Sequence, residues 1–383
     1  MALVKLGDVA REYKAIIKNA AGLPVVGLEH LTPRELILES WDSDVETTFT
    51  KGFKKGHILF GRRRAYLKKA AIAPFDGICS GDITVIEAIP EKINPDLLPF
   101  VIQNDSLFDF AIGKSAGSLS PRVKWEQLKD YTFELPEMDK QQELVDILTA
   151  ALQTKKAYQR QLAATDELVK SQFIEMFGAD AAERNGYSLV ALSDIFDKPQ
   201  GGEWGEDDTT GIGTPVLRTT NFTDGGYIDY SDVATRIITA EKIKKKALTP
   251  GDILIEKSGG SGEKPVGRVV FFEGEPEKYL NNNFTARLHL SGKYTFNPAY
   301  VFYFMFVNYW QGGTKTFEGK TTGIHNLRLG DFLNGTQIPI AEIDKQNEFE
   351  TIMRQSDKSK FELEQAIQRI DNLIKSLIQQ NND

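Results

Sequence analysis

Two stretches of this chain, residues 139–177 and 344–380, contain neither proline nor glycine and carry apolar positions at alternating spacings of four and three. In the first, the series runs Leu144, Leu148, Ala151, Lys155, Tyr158, Leu162, Thr165, Val169, Gln172 and Met176. In the second it runs Phe349, Met353, Ser356, Lys360, Leu363, Ile367, Ile370, Ile374 and Leu377. Such spacing is heptad periodicity, and each stretch predicts one helix of about 55 Å. The two series align at a constant offset of 205 residues, and both place a small residue and then a lysine at the same point. The pattern predicts that the two helices pair with each other. The alternative is that each packs on its own globular domain.

Around the helices the pattern changes. Gly56–Gly61 and Gly81–Glu87 are short β-rich runs bounded by glycine and predict strands. Leu97–Phe110 predicts a helix entered after Asn94-Pro95. The second half repeats the plan, with strands over Asp252–Glu256 and Val266–Glu273 and a helix over Pro298–Trp310. Gly178–Gly186 is the expected connection, with Gly178 stopping the first long helix. The halves also share short phrases in the same order. Leu6-Gly7-Asp8 matches Leu192-Ser193-Asp194, Lys55–Leu59 matches Pro250–Leu254, and Ile93-Asn94-Pro95 matches Phe296-Asn297-Pro298. Leu135–Gln141, ending in Asp-Lys-Gln, returns as Ile338–Gln346. A repeat near half the chain length is a duplicated domain-plus-helix unit, not a solenoid. The fold class that follows is α+β: two similar domains joined by two long paired helices, with pseudo-two-fold character.

Composition narrows the class. The 383 residues have an ordinary 41% hydrophobic and 26% charged content. No apolar run reaches the length of a membrane span, and the N-terminus lacks the plan of a signal peptide, so a cytoplasmic protein is expected. One cysteine and four scattered histidines offer neither a disulfide nor a zinc cluster, and no metal or cofactor is expected in this chain. The net charge of −8 argues against a free-standing nucleic-acid binder. Yet eight Lys/Arg and no acid lie between Lys51 and Lys69. A local basic patch on an acidic chain can hold phosphates when a partner supplies the remaining affinity.

The order of α+β domain, long helix, α+β domain and long helix resembles the specificity (S) subunit of Type I restriction–modification systems. The resemblance covers essentially the whole chain. Its most specific elements are the architecture and the Leu-Pro-x-x-Asp-Lys-Gln and Ile-Pro-Ile-x-x-Ile-Asp-Lys-Gln entries to the helices. Four phrases also resemble one family of target-recognition domains: Val26–Leu31, Leu59–Arg64, Cys79–Asp82 and Ser115–Arg122. The resemblance implies target-recognition domains over 1–137 and, with its connector, 179–340, and conserved helices over 138–178 and 341–383. The helices would form an antiparallel coiled coil that sets the spacing between two DNA half-sites and docks two methyltransferase subunits. S-adenosylmethionine would be held by that partner. Restriction subunits would complete the nuclease complex, and this chain would not itself be an enzyme. Because the two domains differ in sequence, the bipartite target should be asymmetric. The runner-up is a coiled-coil scaffold whose α+β domains bind proteins.

Candidate DNA contacts follow from residue chemistry. Arg62, Arg63 and Arg64 follow a strand-like run and a glycine turn, with Lys68 beyond, and arginine both forks onto guanine and holds phosphate. The matching stretch of the second half is glycine-rich and offers Lys257, Ser258, Ser261 and Lys264. It lacks the Gly-Lys-Ser/Thr ending of a nucleotide-binding loop. Lys114, Ser115 and Ser118 match the run Lys320, Thr321 and Thr322, and Arg122 matches Arg328 at an offset of 206. A lysine, small residues and a glycine let a backbone approach phosphate. His325 and Arg218 are further candidates. Asn297-Pro298-Ala299-Tyr300 departs from the Asn-Pro-Pro-Tyr of adenine methyltransferases at its third residue and is expected to be only a helix-entry turn. The partner seam is expected at Leu144, Leu148, Tyr158, Leu162, Val169, Met176, Phe349, Met353, Leu363, Ile367, Ile370, Ile374 and Leu377.

Overall fold

A computed structural model describes residues 2–18, 22–43, 45–260, 264–321 and 324–379. It divides into two compact units, Met1–Arg160 with Leu363–Asp383, and Gln161–Glu362. Each long helix contributes one end to each unit.

In the first unit, strand Ala2–Lys5 pairs antiparallel with Thr132–Leu135, the strand that leads into the first long helix. An antiparallel sheet runs in the order Ala10–Glu12, Ile83–Ala88, Ile58–Gly61, Ala70–Ile72. A second sheet orders Ala15–Ile16, Lys51–Phe53, Gly77–Cys79 and Val25–Val26, the last pair parallel. Strand Ile58–Gly61 is buried on both faces, and its period-2 alternation divides two cores. Ile58 and Phe60 join Leu98, Phe108 and Leu148, while Leu59 joins Val26, Phe53 and Val85. The helix expected over Leu97–Phe110 is broken into Leu98–Ile102 and Asp105–Lys114. Asn104 is extended, and its side chain accepts the Ser106 N–H at 2.9 Å, capping a new helix in mid-run.

The second unit repeats this plan. Leu189–Ala191 pairs with Gln337–Pro339, and a sheet orders Gln200–Gly201, Thr285–Leu288, Ile253–Glu256, Val269–Phe271. Helix Pro298–Trp310 forms as expected, with proline in its first turn and Asn297 accepting the Ala299 N–H at 2.9 Å. The Asn-Pro-Ala-Tyr run is thus a capped helix start. Its Tyr300 is buried, with the hydroxyl donating to the Pro339 carbonyl at 2.8 Å.

The repeated phrases lock onto each other. Gln141 of the first Asp-Lys-Gln is buried; its Oε1 accepts the Asn94 N–H at 2.8 Å, and its Nε2 donates to the Pro136 carbonyl at 2.8 Å. Gln346 does the same to Asn297 (2.8 Å) and Ala341 (2.7 Å). Each glutamine fastens a helix entry to the Asn-Pro turn of its own domain. Truncating either one leaves a buried N–H and carbonyl unpaired, so Gln141→Ala and Gln346→Ala should each cost about 1–3 kcal/mol. Chemical denaturation of the chain would read this, and an unchanged midpoint for both would refute the lock.

The long helices span Met138–Phe177 and Ile343–Gln379. The helices do have apolar partners besides each other, contrary to the simple pairing expected. Val145, Leu148 and Ala151 enter or border the first domain's core, and Val169, Phe173, Phe177, Phe349 and Met353 enter the second's. Gln172 of the expected heptad series gives way to buried Phe173, while Met176 is partly buried and packs against the same core as Phe177. A helix lying on a globular domain follows its natural 3.6-residue turn, so its buried stripe drifts off a strict heptad. Leu144, Tyr158, Leu162, Leu363, Ile367, Ile370, Ile374 and Leu377 are half-buried.

Both units also pair the two helices antiparallel. Lys155 meets Asp371 at 2.7 Å, Lys360 meets Asp166 at 3.0 Å, and Phe177 stacks edge-on against Phe349. The 205-residue offset carries Lys155 to Lys360 and Asp166 to Asp371, so the two ion pairs exchange roles as a self-complementary pairing requires. Gly178 ends the first helix but is not left-handed. Its φ is −60°, and a Cβ there would lie 2.5 Å from the Ile174 carbonyl, so only glycine fits. The connection contains a further helix, Ala179–Asn185, closed by Gly186 at φ 67°.

Candidate nucleic-acid interface and partner seam

Strand Ile58–Gly61 delivers Arg62, Arg63 and Arg64 to one end of the first domain. There the backbone threads against the Ser115–Arg122 loop. Arg62 donates its N–H to the Asp82 carbonyl at 3.0 Å and accepts the Val123 N–H at 3.0 Å. Arg64 donates its N–H to the Pro121 carbonyl at 2.8 Å, and Arg63 bridges to Arg122. Phrases 20 to 60 residues apart thus meet in one patch, and Val26 lies behind it, accepting the Ser80 N–H at 2.9 Å.

Asp82 sits in the middle. Its carboxylate accepts Arg122 Nε at 2.7 Å and Nη2 at 3.3 Å, and Arg63 Nη1 at 3.4 Å. Arg63 Nη2 also donates to Ser120 Oγ at 3.0 Å. The Arg122 hydrogen bond, aided by Arg63, outweighs burial and holds the Asp82 carboxyl below its ordinary 3.8. The stability this adds is complete above the ordinary value and is lost as pH falls through the lower folded one. Asp82 was legible only as part of a phrase and was not among the residues singled out. Its signal is an acid placed beside an arginine-rich turn by the sheet.

The remaining candidates of the first domain divide. Arg64 is exposed, left-handed at φ 53°, and forms no ion pair among the described residues. Lys114, Gly117, Ser118 and Leu119 are exposed, and Gly117 needs its φ of 117°. Ser115 instead spends its hydroxyl on the Ala111 carbonyl at 2.8 Å. Lys68 is turned inward, paired with Asp105, which also takes Arg34 and Lys375. Burial raises the Asp105 pKa, but these cations outweigh it and leave the carboxyl below its ordinary range.

In the second domain, Lys257 occupies the place of Arg62: its carbonyl accepts the Leu327 N–H at 2.8 Å as Arg62 accepts that of Val123. Burial, and then Lys246, lower the Lys257 pKa, which marks an ammonium poorly compensated by acids. Strand Ser258–Gly260 pairs with Ile324–Leu327, setting Ser258 opposite Asn326. This register shifts the match inferred from sequence. Arg328 is the counterpart of Lys124, not of Arg122, since each is the N-cap of the short helix that follows in its own unit. Arg328 is spent on Asp331 (3.0 Å) and the Thr316 carbonyl (2.9 Å). Arg218 closes its own turn on Asp232, His325 is paired with Glu318 at 2.9 Å, and Lys264 meets Asp224 at 3.2 Å. Of Lys320 and Thr321 only the backbone is described, in the strand facing Ile324–Leu327. Ser261 and Thr322 lie outside the described residues.

The seam forms a cleft in each unit. That of the second, about 510 Å³, contains Lys360, Asp166 and Lys170. That of the first, about 400 Å³, contains Lys155, Asp371 and Lys375, the same three positions at the 205 offset. The walls differ. Tyr227, Phe306 and Trp310 face the second, Arg34 and Gln103 the first. Lys360 is gripped by Asp166, Asp357 at 3.1 Å and the Tyr227 hydroxyl at 2.7 Å. Burial opposes its charge, but these partners prevail and raise its pKa. Among the described residues no cluster of His, Cys, Asp and Glu could hold a metal ion, and no helix is long and apolar enough to cross a membrane.

Residues 2–164 match the family model described as the Type I restriction modification DNA specificity domain. The specificity subunit of the type I restriction enzyme EcoDI from Escherichia coli is 26% identical over 162 residues, which cover 39% of this chain and 35% of that protein. The matched region therefore spans about a third of that relative's length. A chain solved in work on complex assembly and conformational transition of the type I R–M system aligns over 99% of this chain and 97% of its own, with a TM-score of 0.59 and 19% identity. The type I restriction–modification S subunit from M. genitalium aligns over 100% and 96%, with a TM-score of 0.52 and 11% identity. The fold is shared with these two chains: two α+β domains joined by long helices. The likeness to that family is carried by residues 2–164, under half of the chain.

Proposed function

We propose that this chain reads a bipartite, asymmetric DNA sequence and recruits the subunits that act on it. The carrying observation is the convergence of Arg62, Arg63, Arg64 and Arg122 on one exposed end of the first domain. The second domain presents Lys257 and a glycine-rich strand at the corresponding place, so the two half-sites differ. The duplicated clefts along the helix pair are the docking places for two adenine-methyltransferase subunits, with restriction subunits joining them in a complete system. The chain is the non-catalytic reader. S-adenosylmethionine belongs to the partner, which takes the target adenine out of the stack to reach it.

Mapping methylated adenines in cells with and without this chain tests the proposal. A bipartite asymmetric motif should vanish with the gene. A scaffold would leave the methylation map unchanged and would show no salt-sensitive, sequence-selective DNA binding when the methyltransferase is present.

A further inference from the structure

We infer that Asp82 is a positioning residue that divides the arginine patch into base readers and phosphate holders. This rests on the DNA-reading function proposed above. A guanidinium gripped by a carboxylate loses much of its net charge but keeps a fixed fork. It is poor at gathering phosphate and good at presenting paired donors to O6 and N7 of guanine. Arg122, held by Asp82 through Nε and one Nη, and Arg63, held between Asp82 and Ser120, are in that state. Arg64 is in the opposite state: exposed and without an ion pair among the described residues, it is a mobile full charge suited to phosphate. Asp82 can arrange both arginines because its carbonyl is fixed by the Arg62 N–H and its own N–H donates to Ser80 Oγ at 3.2 Å. The carboxylate also repels phosphate, which keeps the backbone of non-specific DNA from settling on Arg63 and Arg122.

The test uses the full chain bound to its methyltransferase, with wild type, Asp82→Asn, Arg122→Lys and Arg64→Ala. Asp82→Asn frees two guanidiniums. It should strengthen binding to unrelated duplex DNA, steepen the salt dependence by about one to two ion equivalents, and let sites with a second base at one recognition position of the motif also become methylated. Arg122→Lys keeps the charge and loses the fork, so it should relax the same position with the salt slope unchanged. Arg64→Ala should weaken all sequences alike and reduce the slope by about one. A methylated motif unaltered in both Asp82→Asn and Arg122→Lys would overturn the inference. Should Asp82→Asn fail to fold, Arg122→Lys decides alone. If the wild-type complex itself binds DNA with no salt-sensitive sequence preference, the DNA-reading proposal fails instead.

Discussion

Replacing Arg62, Arg63 and Arg64 together with alanine should abolish methylation of the genomic target while leaving the complex with methyltransferase intact. Each well-placed arginine contact contributes about 1–3 kcal/mol, so loss of three should weaken specific binding at least about 100-fold. Assembly should survive because the long helices lie outside the altered turn and draw on separate core residues. Part of the loss will come through the loop, since Arg63 holds Ser120. Arg64→Ala isolates the direct share, because its side chain has no ion pair among the described residues to lose. Methylation sequencing and co-purification check both halves of this expectation. Methylation persisting at the same sites in the triple variant would refute the contact assignment.

Phe349→Ala should cost about 3–5 kcal/mol, the range for truncating a fully buried aromatic side chain. Phe349 is 0% exposed and touches three rings from two other elements, Phe173 at 5.0 Å, Phe177 at 6.0 Å and Tyr303 at 4.9 Å between centroids. It therefore joins both long helices to the second domain's core in one contact set. The 205-residue offset puts Leu144 at the equivalent place in the first unit, where it is only partly buried. Leu144→Ala should cost clearly less. Chemical denaturation followed in both variants reads the difference, and equal losses would show that the two ends of the seam are energetically alike.

Local signals carried the long elements. Proline-free, glycine-free periodic runs define helices whatever surrounds them, and both long helices begin within a residue of the start of their periodic runs at 139 and 344. Strands Ile58–Gly61 and Ile253–Glu256, with glycine turns before them, were equally plain. The break at Asn104 was less so, because an asparagine cap competes with an apolar run only when its side chain reaches the next N–H. The drift from Gln172 to Phe173 has another cause. Heptad reading assumes a helix partner alone, and here a globular core shares the stripe.

The candidate site was legible as residue types and not as roles. Sequence by itself determined the duplication, the two helices, the lysine at the same point of each heptad series and the arginine-rich turn, because each is written in local spacing or in the order of repeated phrases. Tertiary structure decided which cations are available: Lys68 goes to Asp105, Arg218 to Asp232, Arg328 to Asp331, and Arg64 remains exposed. It also decided what the repeated Asp-Lys-Gln is for, since Gln141 and Gln346 bond to turns 47 and 49 residues earlier in the chain. Charge pairing and buried hydrogen bonds depend on distances of about 3 Å, and only the folded chain brings such distant residues that close.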